Sequence, residues 1–461
     1  MSTSISTAAV DLAIIGSGGA AMSAAIHASL LGATAVVIER GTLGGTCVNV
    51  GCIPSKTLLA AAAARHVAAT NPFRGAPTSA GPVDLAALVS QKDELLGRLR
   101  QAKYADVAAA YDFPVIHGSA SFDGPNTLLV DGQPLTANAF IVATGAEGAV
   151  PDLPGLVGTD YLTSTTAMAL DALPESLVVI GGGYVGLEQA QLFAHLGVPV
   201  TIVGRLAPRA EPELASVLRR VFLDDGVTVV NDRATAVGHE GQMVTVTTRR
   251  GRMVTGQRLL VATGRTPRTD GLALEKAGVN TDDRGFVVTD SQQRSSNPKV
   301  YAAGDVTGAP QFVYVAAATG KVAAHNALGR DEQVDYTGLP SVTFTRPQLA
   351  SAGLTEQQAL DQGIDCSCRV LDLADVPRAL VNHDTRGVVK VVADAQTSRV
   401  VGVHALADSA GEMMLAATYA IKAGFTTDQL ADTWVPYLTM AESIRLTAWL
   451  FRNQLPTSCC A

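Results

Sequence analysis

Apolar residues fill Val10 to Ile15 except at Asp11 and stop at a glycine-rich turn, Gly16-Ser17-Gly18-Gly19-Ala20-Ala21, after which an Ala-rich run reaches Leu30. That order predicts a buried strand, a tight turn and a helix. A second apolar run, Ala35 to Ile38, ends on the acidic Glu39. The same pattern returns at Leu177 to Ile180, Gly181-Gly182-Gly183-Tyr184-Val185-Gly186, a helix through Phe193 and a strand from Val200 to Val203. Each unit is closed by a shared phrase, Val142-Ala143-Thr144-Gly145 in the first and Val261-Ala262-Thr263-Gly264 in the second, which reads as an internal duplication. From about Tyr336 the pattern changes to alternating strands, Val388 to Val392 and Val400 to His404, followed by helices from Gly411 and Glu442.

A glycine turn between a strand and a helix lets the backbone approach a pyrophosphate, which then lies against the free N–H groups of the helix start. One such turn is weak evidence. Two, each with its own downstream Ala-Thr-Gly, predict two dinucleotide units; Ala21 in place of the third glycine of the first is compatible with helix packing. After Arg265 the chain returns to the first unit, because Tyr301-Ala302-Ala303-Gly304-Asp305 supplies its last strand and a carboxylate facing a ligand. The expected fold class is α/β: two Rossmann-like dinucleotide-binding domains, the second inserted in the first, and a C-terminal α+β domain. The expected boundaries are 1–150 and 265–336 for the first domain, 151–264 for the second and 337–461 for the third, with a turn at Gly338, Leu339 and Pro340.

A chain of 461 residues, 47% hydrophobic and 16% charged, can bury several cores. A net charge of -8 without long Lys/Arg runs argues against nucleic acid or an anionic membrane as the main partner. No apolar run approaches the roughly 18 residues of a membrane span. Met1 to Asp11 carries no basic segment followed by an apolar one, so a cytosolic location is expected. Six cysteines in a reducing compartment suit metal or redox work better than structural bridges. Cys459 and Cys460 end the chain just before Ala461, and Cys47 and Cys52 stand in Gly44-Gly45-Thr46-Cys47-Val48-Asn49-Val50-Gly51-Cys52-Ile53-Pro54-Ser55-Lys56. Pro54 suits the first turn of a helix running through Lys56 to Ala64, so Cys52 lies near a positive helix end that favours its thiolate. Lys56 is expected to pair with a carboxylate, Glu188 being the candidate.

That phrase resembles the redox disulfide motif of the pyridine nucleotide-disulfide oxidoreductase family, and the resemblance runs over essentially the whole chain. It implies that Cys47 exchanges with substrate and Cys52 contacts a flavin. It implies FAD in the first unit, with Gly16, Gly18, Ala21 and Glu39 on its adenosine and pyrophosphate, and Gly41, Thr46 and Lys56 further along. Ala120 of His117-Gly118-Ser119-Ala120 falls near the adenine, Thr144, Gly145 and Arg265, in or just after the closing phrases, bind the cofactor, and Asp305 and Val313 face the ribityl chain and isoalloxazine. The second unit, through Gly181, Gly183 and Gly186, is implied to hold the nicotinamide cofactor, with Tyr184 shielding the flavin until nicotinamide displaces it. The strand there ends in Val203-Gly204-Arg205 without an acidic residue, so Arg205 and Arg209 suit a 2′-phosphate and NADPH is expected over NADH.

Two departures from the family's thiol-reducing members follow. Those carry a His-Pro-Thr segment whose histidine, oriented by a glutamate, is the acid-base catalyst; here Pro436-Tyr437-Leu438-Thr439-Met440-Ala441-Glu442 puts tyrosine at the histidine position and retains the glutamate. A phenol with a pKa near 10 cannot do histidine's work at neutral pH. The second departure is the appended Cys459 and Cys460. Together with Pro377-Arg378-Ala379 and Gln311-Phe312-Val313-Tyr314, these features are similar to the branch of the family that reduces mercuric ion. A soft cation prefers thiolate, and two thiolates within reach bind it far more tightly than one. The resemblance implies Hg(II), arriving as a thiol complex, as substrate, passed from Cys459 and Cys460 to Cys47 and Cys52, and a homodimer in which the tail completes the partner's site. It also implies that the chain begins directly at the FAD strand, without the N-terminal metal-binding domain many members of that branch carry. A disulfide or dihydrolipoamide reductase and a mercury-sequestering flavoprotein without turnover are the alternatives. Cys366 and Cys368 form a Cys-x-Cys pair that the resemblance leaves unexplained, facing one way if the segment is a strand.

Overall fold

The computed structural model describes residues 10–453. Strand β1 (Val10–Ile15) leads through the glycine turn into α1 (Gly19–Leu30), then β2 (Ala35–Glu39). Two helices follow, α2 (Gly45–Asn49) and α3 (Cys52–Ala69), broken at Val50 and Gly51. Taken together, Gly45–Ala69 is apolar and long enough by composition to cross a bilayer, but the break divides it and its first turns carry the cysteine pair.

Strand β3 (Val115–His117) and strand β4 (Ala137–Val142) complete the first sheet's early strands. The second repeat supplies β5 (Leu177–Ile180), α4 (Tyr184–His195), β6 (Val200–Val203), α5 (Pro212–Asp224), β7 (Thr228–Val230) and β8 (Arg258–Val261). Strand β9 (Val300–Ala302) then returns to the first sheet, and α6 (Val313–Ala327) follows it. The first sheet has the order β9-β4-β1-β2-β3 and the second β7-β6-β5-β8, parallel throughout. Strands buried on both faces need apolar residues at every position. Leu177, Val178, Val179 and Ile180 are all buried, as are Leu12 through Ile15.

The C-terminal region forms a mixed-order antiparallel sheet, β10 (Pro340–Thr343), β11 (Gln348–Gly353), β12 (Cys366–Asp372), β13 (Val388–Asp394) and β14 (Val400–Ala407), in the order β10-β11-β14-β13-β12. Helices α7 (Ala410–Lys422) and α8 (Glu442–Trp449) bury Met413, Met414, Ile444 and Leu446 in its core. By packing the chain falls into two units, 1–57 with 87–149 and 264–335, and 58–86 with 150–263 and 336–461.

Candidate functional site

The two glycine turns are held by the same device. At Gly16, φ is +107° and an added methyl group would lie 2.4 Å from the carbonyl oxygen of Ala143; at Gly181, φ is +115° and it would lie 2.2 Å from that of Ala262. The first glycine of each turn is pressed onto the Ala-Thr-Gly phrase of its own repeat, which explains why both recur together. Only glycine combines that backbone with that approach.

Around the first turn, the Glu39 carboxylate is fixed on both oxygens. Ser17 Oγ donates to Oε2 at 2.5 Å and the Gly41 N–H to Oε1 at 2.6 Å, while the Gly44 N–H donates to Ser17 Oγ at 3.0 Å. His117 pairs with Glu39 across β3 and β2, so the segment leading to Ala120 runs beside that carboxylate. Ser17 was not singled out by sequence; its position inside the turn, two residues from any strand pattern, hides its role as the link between Glu39 and the Cys47 loop.

Thr46 and Cys47 lie on α2, and Cys52 opens α3. Cys47 and Cys52 are half-buried, and the Cys47 thiol hydrogen-bonds to Cys52. That bond, burial and the neighbouring sulfur raise the Cys47 thiol above its ordinary range, with Lys56 opposing. Lys56 Nζ donates to Ser55 Oγ at 3.3 Å. Tyr104, on the π turn Gln101–Ala105, is a neighbour that the sequence pattern did not mark. Burial, then the charges of Cys47 and Cys52, push its phenol up to about 12. A π turn at a functional site is common, but it leaves no residue signature.

Asp305 faces Arg265 at 3.4 Å, and burial raises its carboxyl despite that guanidinium. Arg265 also donates to the Ala146 carbonyl at 2.6 Å. Thr144 Oγ1 and Arg265 Nε are buried polar atoms without a partner among the described residues. A methyl group at Gly145, beside them, would meet nothing within 4 Å. Unfilled polar valence next to open space fits a polar ligand such as FAD, and Gly16, Gly18, Ala21, Gly41 and Val313 belong to the same unit.

In the second unit, Gly183 caps α4 and has open space in place of a side chain, while Tyr184 begins the helix. Gly186 lies one turn in, against the Gly181 carbonyl. The Ala207 N–H donates to Gly182 O at 2.8 Å, which folds Arg205 over the turn; Arg205 and Arg209 are exposed. Glu188 is buried and accepts the Phe344 N–H at 2.9 Å. In the C-terminal region Tyr437 is exposed, and buried Glu442 accepts the Leu438 N–H at 3.3 Å. Leu438 has a φ of +59°. The glutamate holds the loop that presents Tyr437. Cys459 and Cys460 lie outside the described residues.

Two parallel nucleotide sheets, a thiol pair at a helix start and an antiparallel C-terminal sheet define a flavoprotein oxidoreductase of the disulfide type. Family models for pyridine nucleotide-disulphide oxidoreductase and for its dimerisation domain match residues 10–320 and 339–448. The chain belongs to the pyridine nucleotide-disulfide oxidoreductase family, whose cofactors are FAD and a reduced nicotinamide nucleotide. It is 52% identical to a mercuric reductase of Streptomyces lividans over 98% of each chain, and 45% identical to one of Staphylococcus aureus, covering 98% of this chain and 84% of the relative. Among solved structures it resembles the HOCl-induced flavoprotein disulfide reductase RclA of Escherichia coli, with a TM-score of 0.85, 31% identity and coverage of 95% and 99%.

Proposed function

We propose that the protein is an NADPH-dependent enzyme that reduces Hg(II) to elemental mercury. The observation that carries this reading is the hydrogen-bonded Cys47–Cys52 thiol pair, in the same packed unit as Thr144 and Asp305, in a chain that is like mercuric reductases over nearly its full length. Bound FAD supplies the electron pair, drawn from NADPH. The ion arrives in the cytosol as a small-thiol complex, is taken by Cys459 and Cys460, and passes ligand by ligand to Cys47 and Cys52. Each exchange releases one thiol for every Hg–S bond formed, so the ion is held throughout. A soft dication replaces the proton on Cys47, overcoming the hydrogen bond and burial that hold it there, and Lys56 favours the resulting thiolate. When the ion gains two electrons, both thiolates are left behind and elemental mercury departs.

No proton need be delivered to a leaving thiol, which is consistent with Tyr437 where thiol reductases carry histidine; Tyr437 positions the incoming ion and Glu442 its loop. Tyr184 shields the nicotinamide side, Arg205 and Arg209 bind a 2′-phosphate, and Lys56 pairs with Glu188. We take residues 1–150 with 265–336 as the FAD-binding domain, 151–264 as the nicotinamide-binding domain and 337–461 as the dimerisation domain. The molecule acts as a homodimer through residues 337–461, each tail serving its partner; nucleic acid and membranes are not partners. Exposed Leu415 and Tyr419 on α7 suit such an interface. The test is NADPH oxidation with Hg(II) and excess thiol, on the parent and on Cys459→Ala/Cys460→Ala. Sustained oxidation by the parent and severe loss in the variant are expected; equal rates would remove the tail from the reaction.

A further inference from the structure

Cys366 and Cys368 stand apart from that chemistry. They lie on β12, the edge strand of the C-terminal sheet, with Cys366 opposite Asp394, Cys368 opposite Val392 and Val370 opposite Lys390. Alternate residues of a strand share a face. Both thiols therefore leave the sheet on the side of Lys390. The short helix Glu356–Asp361 places its first carboxylate on that side, and the two sulfurs and a Glu356 carboxylate oxygen lie within 4.8 Å of one another. Cys366 Sγ is 3.9 Å from the Glu356 carbonyl oxygen, Cys368 hydrogen-bonds to the Glu356 carboxylate, and the two thiols hydrogen-bond to each other.

The surrounding charge favours a cation. Lys390 Nζ, fully buried, donates to Glu211 at 2.8 Å, Glu213 at 3.0 Å and Glu356 at 2.7 Å. One ammonium among three carboxylates leaves a surplus of negative charge. His404 is buried on the same side, and that burial lowers the affinity of its imidazole for a proton. Lys390 engages Glu356 through Oε2, so Oε1 can coordinate an ion without breaking that pair.

We propose that Cys366, Cys368 and Glu356 form a second metal site, separate from the redox pair, that takes a thiophilic divalent cation through two thiolates and one carboxylate. Metal–sulfur bonds of about 2.3 Å and metal–oxygen bonds of about 2.0–2.2 Å fit a triangle of this size after small side-chain rotations. Soft sulfur selects such ions over magnesium or calcium. Binding replaces the two thiol protons, which pass to solvent, so no electron changes hands. Burial, followed by the charge of Glu356, pushes Cys368 up to about 12. Because each thiol gives up its proton when it binds a cation, affinity rises with pH.

The test uses the full-length, FAD-loaded protein and Cd(II), which NADPH does not reduce, so the outcome is independent of mercury turnover. Cadmium retained after gel filtration is counted, with proton release and thiolate-to-cadmium absorption as second readouts. Cys366→Ser/Cys368→Ser is expected to retain one ion fewer per chain than the parent. Glu356→Gln keeps both thiols and is expected to hold that ion at least tenfold more weakly, with flavin content unchanged in both. An unchanged cadmium count in the double variant, or undiminished affinity in Glu356→Gln, overturns the site.

Discussion

At the residue scale, the cofactor cradle rests on a few atoms with little tolerance. Gly16→Ala puts a methyl group 2.4 Å from a carbonyl oxygen at a φ of +107°, a strain of several kcal/mol by the usual cost of such backbone conflicts. The expected outcome is loss of bound flavin, read from the visible absorbance of the purified protein. Arg205 and Arg209 are exposed in the segment after β6, where the Arg205 backbone approaches Gly182 of the second turn. Arg205→Ala/Arg209→Ala is expected to raise KM for NADPH about tenfold or more, the scale of a lost charge-assisted contact, while KM for NADH stays put. Equal effects on both cofactors would remove the 2′-phosphate from the account. The glycines, Glu39 and the cysteine pair were legible because each answers to one local requirement. Thr144 was legible only through its repeated phrase, and Tyr104 and Ser17 not at all, since their roles come from neighbours distant in sequence.

At the element scale, the parallel strands Val10–Ile15, Leu177–Ile180 and Val200–Val203 coincide with the strands read from the sequence residue for residue. The antiparallel strands of Ala120–Leu135 and Ala234–Gly256 escaped notice, because polar and glycine residues interrupt their apolar positions so that no continuous apolar run marks them. The helix Leu85–Arg100, with its exposed polar face, also lacked an apolar signal strong enough to mark it. Lys390 was invisible as well; a lone lysine in an apolar strand gives no hint of three carboxylates from other elements. Its removal leaves buried Glu211 without its cation. Lys390→Ala is expected to cost about 3–5 kcal/mol in chemical denaturation. Lys276→Ala, which breaks an exposed pair with Asp123 at 3.0 Å, is expected to cost under about 1 kcal/mol.

At the scale of the whole molecule, one network gives stability a pH dependence. His66 and His195 stack at 3.8 Å, with Nε2 of His195 3.1 Å and of His66 3.7 Å from the Asp225 carboxylate, which also meets Arg386 at 3.2 Å. Burial, then the neighbouring histidine, lowers His66 to about 4. The folded protein therefore binds the His66 proton less readily than the unfolded chain. Its contribution is complete above about pH 6.5 and is lost as pH falls toward about 4. Urea midpoints should decline over that window, and His66→Gln should flatten the decline; a parallel curve would assign the slope elsewhere. The central claim concerns the assembled enzyme: electrons from NADPH reach a mercuric ion held by paired sulfurs. The direct measurement is mercury vapour evolved from purified, flavin-loaded protein given Hg(II), excess thiol and NADPH. One mercury atom released per NADPH consumed is the predicted result, abolished in Cys47→Ser/Cys52→Ser. Mercury retained on the protein without vapour, or vapour undiminished in that variant, would contradict the account.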